Sequence, residues 1–173
     1  MTGELFGEFF KTIDLPDGRA RFLSEDKSTA ILCYFKNGEL KKEPQLRANL
    51  KNKTIEVRGQ TFKDRDDSYC MKAWIDLKGN CKTGFFRNNE LDREVPILDS
   101  RILDFFMPKQ LNQYTVSDRI GLKEVGSWLE FGEMLNNKLN GRGISISSSG
   151  DIFICYCKDS FPTVGNYLII SSW

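Results

Sequence analysis

The sequence predicts a mainly β protein: an open array of antiparallel hairpins with one helical segment inserted late in the chain and packed on one face of the sheet. Three observations carry this expectation. A short pattern of aromatic, basic and turn residues recurs along the chain. Runs alternating apolar and polar residues flank it. Between Asp99 and Asn140 that texture gives way to helix-like spacing. A closed β-barrel of the oligonucleotide-binding type is the alternative, because it too combines strands with one inserted helix.

The recurring pattern is clearest in "ILCYFKNGEL" (Ile31–Leu40) and "KTGFFRNNEL" (Lys82–Leu91), which share aromatic, aromatic, basic, Asn, turn, Glu, Leu. "FICYCKDS" (Phe153–Ser160) matches again, setting Cys155-Tyr156 against Cys33-Tyr34. "FGEFFKTI" (Phe6–Ile13) and "VRGQTFKDR" (Val57–Arg65) are weaker copies. The aromatic-basic steps at Phe10, Phe35, Phe62 and Phe86 fall 25, 27 and 24 residues apart, and Lys158 follows Arg87 by 71. Each unit reads as a hairpin, because Asn, Asp and Gly in "KNG", "RNN" and "KDS" tolerate the positive φ of a two-residue turn. Alternation is plain in Ala73-Ile75-Leu77, Ile144-Ile146 and Ile152-Ile154. A lone hairpin is marginal, so the units must stack on their neighbours to bury an apolar face.

The stretch "GRGISISSSGDIFICYCKDSFPTVGNY" resembles a MORN repeat through Gly141, Gly143, Gly150, Phe153, Cys155, Lys158, Asp159, Gly165 and Tyr167. Gly84 in "GFFRNN" and Gly7 in "LFGEFF" occupy the position that the family keeps small for close approach between hairpins. Elsewhere Ala20, Cys33, Ala48, Gln60, Ala73 and Cys155 stand near positions where glycine is usual. The resemblance is clear over 141–167 and degenerate in the rest. It implies scaffolding, dimerisation or association with phosphoinositide-rich membranes.

Between Asp99 and Asn140, Ser117 reads as an N-cap and Asp118 as a first-turn acid. Val125, Trp128, Leu129, Phe131, Leu135 and Leu139 fit a 3.6-residue period, with Gly141 as the C-terminal cap. Gly121, Gly126 and Gly132 weaken such a helix by up to about 1 kcal/mol each, so packing on the sheet must hold it. The organisation expected is a single domain over 1–173, with hairpin repeats in 1–98, a helical insert in 99–140 and a C-terminal hairpin repeat in 141–173.

Composition narrows the chemistry. The chain has no histidine, which removes Ser-His-Asp and Cys-His nucleophile activation and every mixed Cys/His zinc site. A net charge of +1 gives no global attraction to nucleic acid or anionic lipid. Five cysteines without disulfide-rich spacing read as reduced thiols in a cytoplasmic setting. No apolar run approaches a membrane span, and "MTGELFGEFF" lacks the features of a secretory leader.

Cys155 and Cys157 share one side of a strand, and the repeat accounts for both. Cys155 falls in a small-residue slot with Cys33 and Gly84, and Cys157 in a bulky slot with Phe35 and Phe86. Packing is therefore preferred to a metal or redox role, since zinc would need two more ligands. Asp64, Asp66 and Asp67 lack the glycine and distal glutamate of a calcium loop and read as a solvated hairpin turn. No catalytic residue, cofactor or metal is expected.

The function expected is that of a non-enzymatic interaction or scaffold module. Its candidate surface comprises Trp74, Phe85, Lys41, Lys42, Arg47 and Lys51, with Trp128 and Trp173 as further aromatic anchors. A protein partner is preferred, including a second copy of the chain. Membrane phosphoinositides come next and nucleic acid last. The alternative function is a barrel module that stacks single-stranded nucleic acid on its aromatics.

Overall fold

Turns decide the architecture. A computed structural model describes residues 3–9, 16–59, 61–95, 100–106 and 119–170 of the chain. Four tight turns carry paired positive φ angles, as type I′ turns require: Asn37-Gly38 (52° and 80°), Asn88-Asn89 (52° and 66°), Asn136-Asn137 (49° and 62°) and Asp159-Ser160 (51° and 66°). Three of these are the "KNG", "RNN" and "KDS" turns expected from the repeat. Longer turns reverse the chain at the opposite strand ends. In one, Asp26 Oδ1 accepts from the Ser28 backbone N–H at 3.0 Å, and in another Asp76 Oδ1 accepts from the Asn80 N–H at 3.0 Å.

The strands these turns join form two open antiparallel sheets. The first contains β1 (Gly3–Phe9), β2 (Pro16–Ser24), β3 (Thr29–Lys36), β4 (Glu39–Asn49), β5 (Thr54–Arg58), β7 (Asp67–Asp76), β8 (Cys81–Arg87) and β9 (Glu90–Val95) in that order, with β6 (Phe62–Asp64) paired to β7. The second contains β10 (Ile120–Val125), β11 (Trp128–Leu135), β12 (Lys138–Ser147), β13 (Ile152–Lys158) and β14 (Phe161–Ile170), also in sequence order. Neither sheet closes, so the barrel alternative is set aside.

Period-2 geometry assigns the faces. Leu23, Ala30, Ala48, Ile55 and Ile75 form one cross-strand row of the first sheet, and Leu32, Leu46, Val57 and Ala73 form the next. In the second sheet, Leu129-Ile146-Ile152 and Phe131-Ile144-Ile154 make the corresponding rows. Both sets meet in one apolar cluster, completed by Ile102 and Leu103 from a 3-10 turn over Ser100–Phe105 and by Phe106 just after it. Burial of each large side chain there contributes about 1.5–3 kcal/mol. Polar links tie the layers: Arg21 Nη1 meets Asp151 Oδ1 at 2.9 Å, and Lys53 Nζ meets Glu124 Oε1 at 3.2 Å.

The inserted helix is corrected. Among the described residues no α-helix forms, and 120–140 builds β10, β11 and the start of β12. Gly126 at φ 59° and the Asn136-Asn137 turn break the segment into hairpins. The helical period arose from apolar positions that belong to three different strands. Strand β11 also hides its own alternation, because it is buried on both faces: Glu130 and Glu133 are only 7% and 0% exposed. Ser117, Asp118 and Trp173 lie outside the described residues.

The small-residue slots are real but serve two purposes. Gly121, Gly132, Gly143 and Cys155 stand side by side across β10 to β13. At Gly132, φ is 154° and an added Cβ would lie 2.2 Å from the Arg142 carbonyl oxygen, so backbones do approach closely there. At Gly84 the space is filled by a side chain instead, with Leu91 Cδ1 2.6 Å from where a Cβ would be.

Candidate interaction surface

On the outer face of the first sheet one cross-strand row reads Phe22, Ile31, Arg47, Glu56, Trp74, Lys82. The adjoining row reads Arg58, Lys72, Gly84, Glu94. Trp74 stands outward because Met71, Ala73 and Ile75 take the core side of β7. Leu91 lies over Gly84 and, with Phe86, rises on the far side. The result is a groove of about 350 Å³ between Trp74 and the Phe86-Leu91 pair. Its charges alternate, Glu56 and Glu94 against Lys72 and Lys82. Lys72 Nζ lies 4.4 Å from the Phe86 ring centroid, a cation–π contact that fixes one wall. Leu91 is 54% exposed, a large apolar side chain left in water at the rim.

The other sequence-derived candidates are dispersed. Phe85 faces the opposite side of the sheet from Trp74, packing on the core with Arg93 4.6 Å above its ring. Lys41 lies beside the β3–β4 turn and pairs with Glu39 at 3.3 Å. Arg47 is exposed on the outer face, next to Ile31 and Glu56, and Lys51 is exposed in the turn after β4. At about 3.3 Å rise per residue, Lys41 and Lys51 stand roughly 30 Å apart along β4 and its turn. The side chain of Lys42 lies outside the described residues. Of the candidate surface, only Trp74 and Arg47 share an outer-face row.

Glu56, Lys72, Lys82, Phe86, Leu91 and Glu94 were not picked out from the sequence. Part of the signal was present: a two-residue turn at Asn88-Asn89 pairs Arg87 with Glu90 and then Phe86 with Leu91. The neighbour on the other side, Glu56, pairs with Trp74 across a connection interrupted by β6; the hairpin turn expected at Asp64–Asp67 joins β6 to β7 and gives no sign that β5 also pairs with β7.

The outer face of the second sheet carries Trp128 edge-on to Phe153, centroids 5.1 Å apart. Cys155 and Cys157 lie on that face with Leu139 and Met134 packed against them. Cys33 is buried on the outer face of the first sheet, where burial pushes its thiol pKa up to about 11. None of the five cysteines is in a disulfide. Among the described residues, no three Cys, Asp or Glu side chains converge as metal ligands, and no helix is long and apolar enough to cross a membrane. No known protein family matches the chain, and a search of characterised proteins finds no match either.

Proposed function

We propose that the protein is a non-enzymatic interaction module, and that its outer first-sheet face joins two copies of the chain. The observation that carries this reading is the charge order around Trp74. Glu56 lies one strand to one side and Lys82 one strand to the other, in a single row. A two-fold axis running along β7 would set Trp74 against Trp74 and Glu56 of each copy against Lys82 of its partner. Self-complementarity of that kind is what an isologous interface requires. Glu56 also meets Arg58 at 3.3 Å, but both are well exposed and such a pair is worth at most about 1 kcal/mol. It competes weakly with a new contact.

The MORN resemblance of 141–167 supports a scaffold role, including dimerisation. The acidic residues in the groove favour a protein over phosphoinositide or nucleic acid. The test is light scattering across a protein concentration series. A dimer that Trp74→Ala weakens at least about tenfold, with the fold retained by circular dichroism, supports the reading. A monomer at every concentration overturns it, and salt-sensitive binding to phosphoinositide vesicles or single strands by that monomer would replace it.

A further inference from the structure

Cys155 and Cys157 have a relationship that packing does not require. Their Sγ atoms lie 2.8 Å apart, with a hydrogen bond between the thiol groups. Both sit on the outer face of β13, where the β13–β14 register shifts between them. They are only 1% and 6% exposed, at the floor of a depression of about 210 Å³ on that face, bordered by Trp128, Glu130, Phe153 and Ser160. Two residues along a strand separate their Cα atoms by about 6.6 Å, within the upper range that a disulfide spans. Elsewhere, Cys33 Sγ lies 3.4 Å from the Ala20 carbonyl oxygen, and Cys70 Sγ 3.4 Å from that of Gly59.

We infer that Cys155 and Cys157 form a redox-active dithiol that closes into a disulfide within one strand by exchange with low-molecular-weight disulfides. Cys155, as thiolate, attacks one sulfur of the small disulfide and releases the other as a thiolate, which takes a proton from water. Cys157 gives up its proton and attacks Cys155 Sγ, displacing the second small thiolate, which is protonated in turn. The protein loses two protons and two electrons, and the small disulfide takes up both to become two thiols. The Cys157 hydrogen bond holds the Cys155 thiol below its ordinary pKa, against burial and the nearby Glu130 carboxylate, which favours it as the first nucleophile. The same hydrogen bond, with burial, raises Cys157 and makes it the resolving thiol. A disulfide across adjacent same-face positions of a strand is strained, so it reopens readily.

Trypsin makes the test direct, because the fragment Gly143–Lys158 holds these two cysteines and no others. Folded protein is incubated with oxidised glutathione, blocked with an alkylating agent and digested. The expected fragment is lighter than the dithiol by two hydrogen atoms, unalkylated, and restored by dithiothreitol. It forms faster in folded protein than in urea. Cys157→Ser leaves a glutathione adduct on Cys155 in its place. A fragment that is fully alkylated, that carries two glutathiones, or that closes only in urea overturns the inference.

Discussion

Arg142 on β12 and Glu133 on β11 are both fully enclosed, with Arg142 Nη2 3.1 Å from Glu133 Oε1. Glu133 Oε2 also accepts the Arg142 backbone N–H at 2.6 Å, so one carboxylate serves both the charge and the chain. The guanidinium reaches further to Asp104 in the 3-10 turn, which ties that segment to the second sheet. Breaking one side of a buried pair costs about 3–5 kcal/mol when the other charge is left uncompensated. Asp104 still faces Arg142 in Glu133→Ala, so that variant should lose about 3 kcal/mol, the lower end, in urea titration. Glu133→Gln keeps an acceptor for the N–H and should lose less. Equal losses would show that the acceptor for the N–H is immaterial and that the charge alone carries the contact.

Gly132 and Gly79 separate backbone strain from crowding. Both have positive φ, 154° and 82°, but an added Cβ at Gly79 meets nothing within 4 Å. Gly79→Ala should cost about 1 kcal/mol from conformation alone. Gly132→Ala must also push the Arg142 carbonyl away and should cost more than about 2 kcal/mol. Thermal melts of the two variants compare them directly, and similar losses would contradict the close approach of β11 and β12.

Alkaline stability should report Cys33. Its thiol pKa is raised from 9.0 to about 11 because burial penalises the thiolate. A raised pKa means that the folded state holds its proton longer than the unfolded chain. The contribution is complete below pH 9.0, falls as pH rises toward about 11, and is then gone. Cys33→Ala should flatten that part of the stability profile in denaturant titrations from neutral to alkaline pH. An unchanged slope would place the titration elsewhere.

The hairpins were legible where turn chemistry and alternation agreed. Asn37-Gly38, Asn88-Asn89 and Asp159-Ser160 each ended a clear alternating run. Asn136-Asn137 has the same chemistry, and "NNKL" repeats "NNEL", yet the flanking strand concealed it. Leu129, Glu130, Phe131 and Glu133 are all buried, two of them acids satisfied by Ser160 and Arg142. A strand enclosed on both faces shows no apolar-polar period, and the glycines that weaken a helix there serve a turn at Gly126 and a small-residue row at Gly121 and Gly132. The candidate surface was legible only in part for a related reason. Trp74 and Phe85 looked equivalent in sequence, but register puts Phe85 opposite Met71 on the core side and Trp74 opposite Lys82 on the outer side. Basic residues near in sequence around β4 were spread along its length by extended geometry.

Charge reversal across the proposed interface separates a two-fold contact at Trp74 from any other assembly. The mass of Glu56→Lys, Lys82→Glu and the double variant is measured by light scattering beside the unaltered protein. The unaltered protein is expected to be a dimer, each single variant a monomer, and the double variant, with both charges exchanged, a dimer again. A monomeric unaltered protein, or single variants that remain dimeric, would contradict that contact.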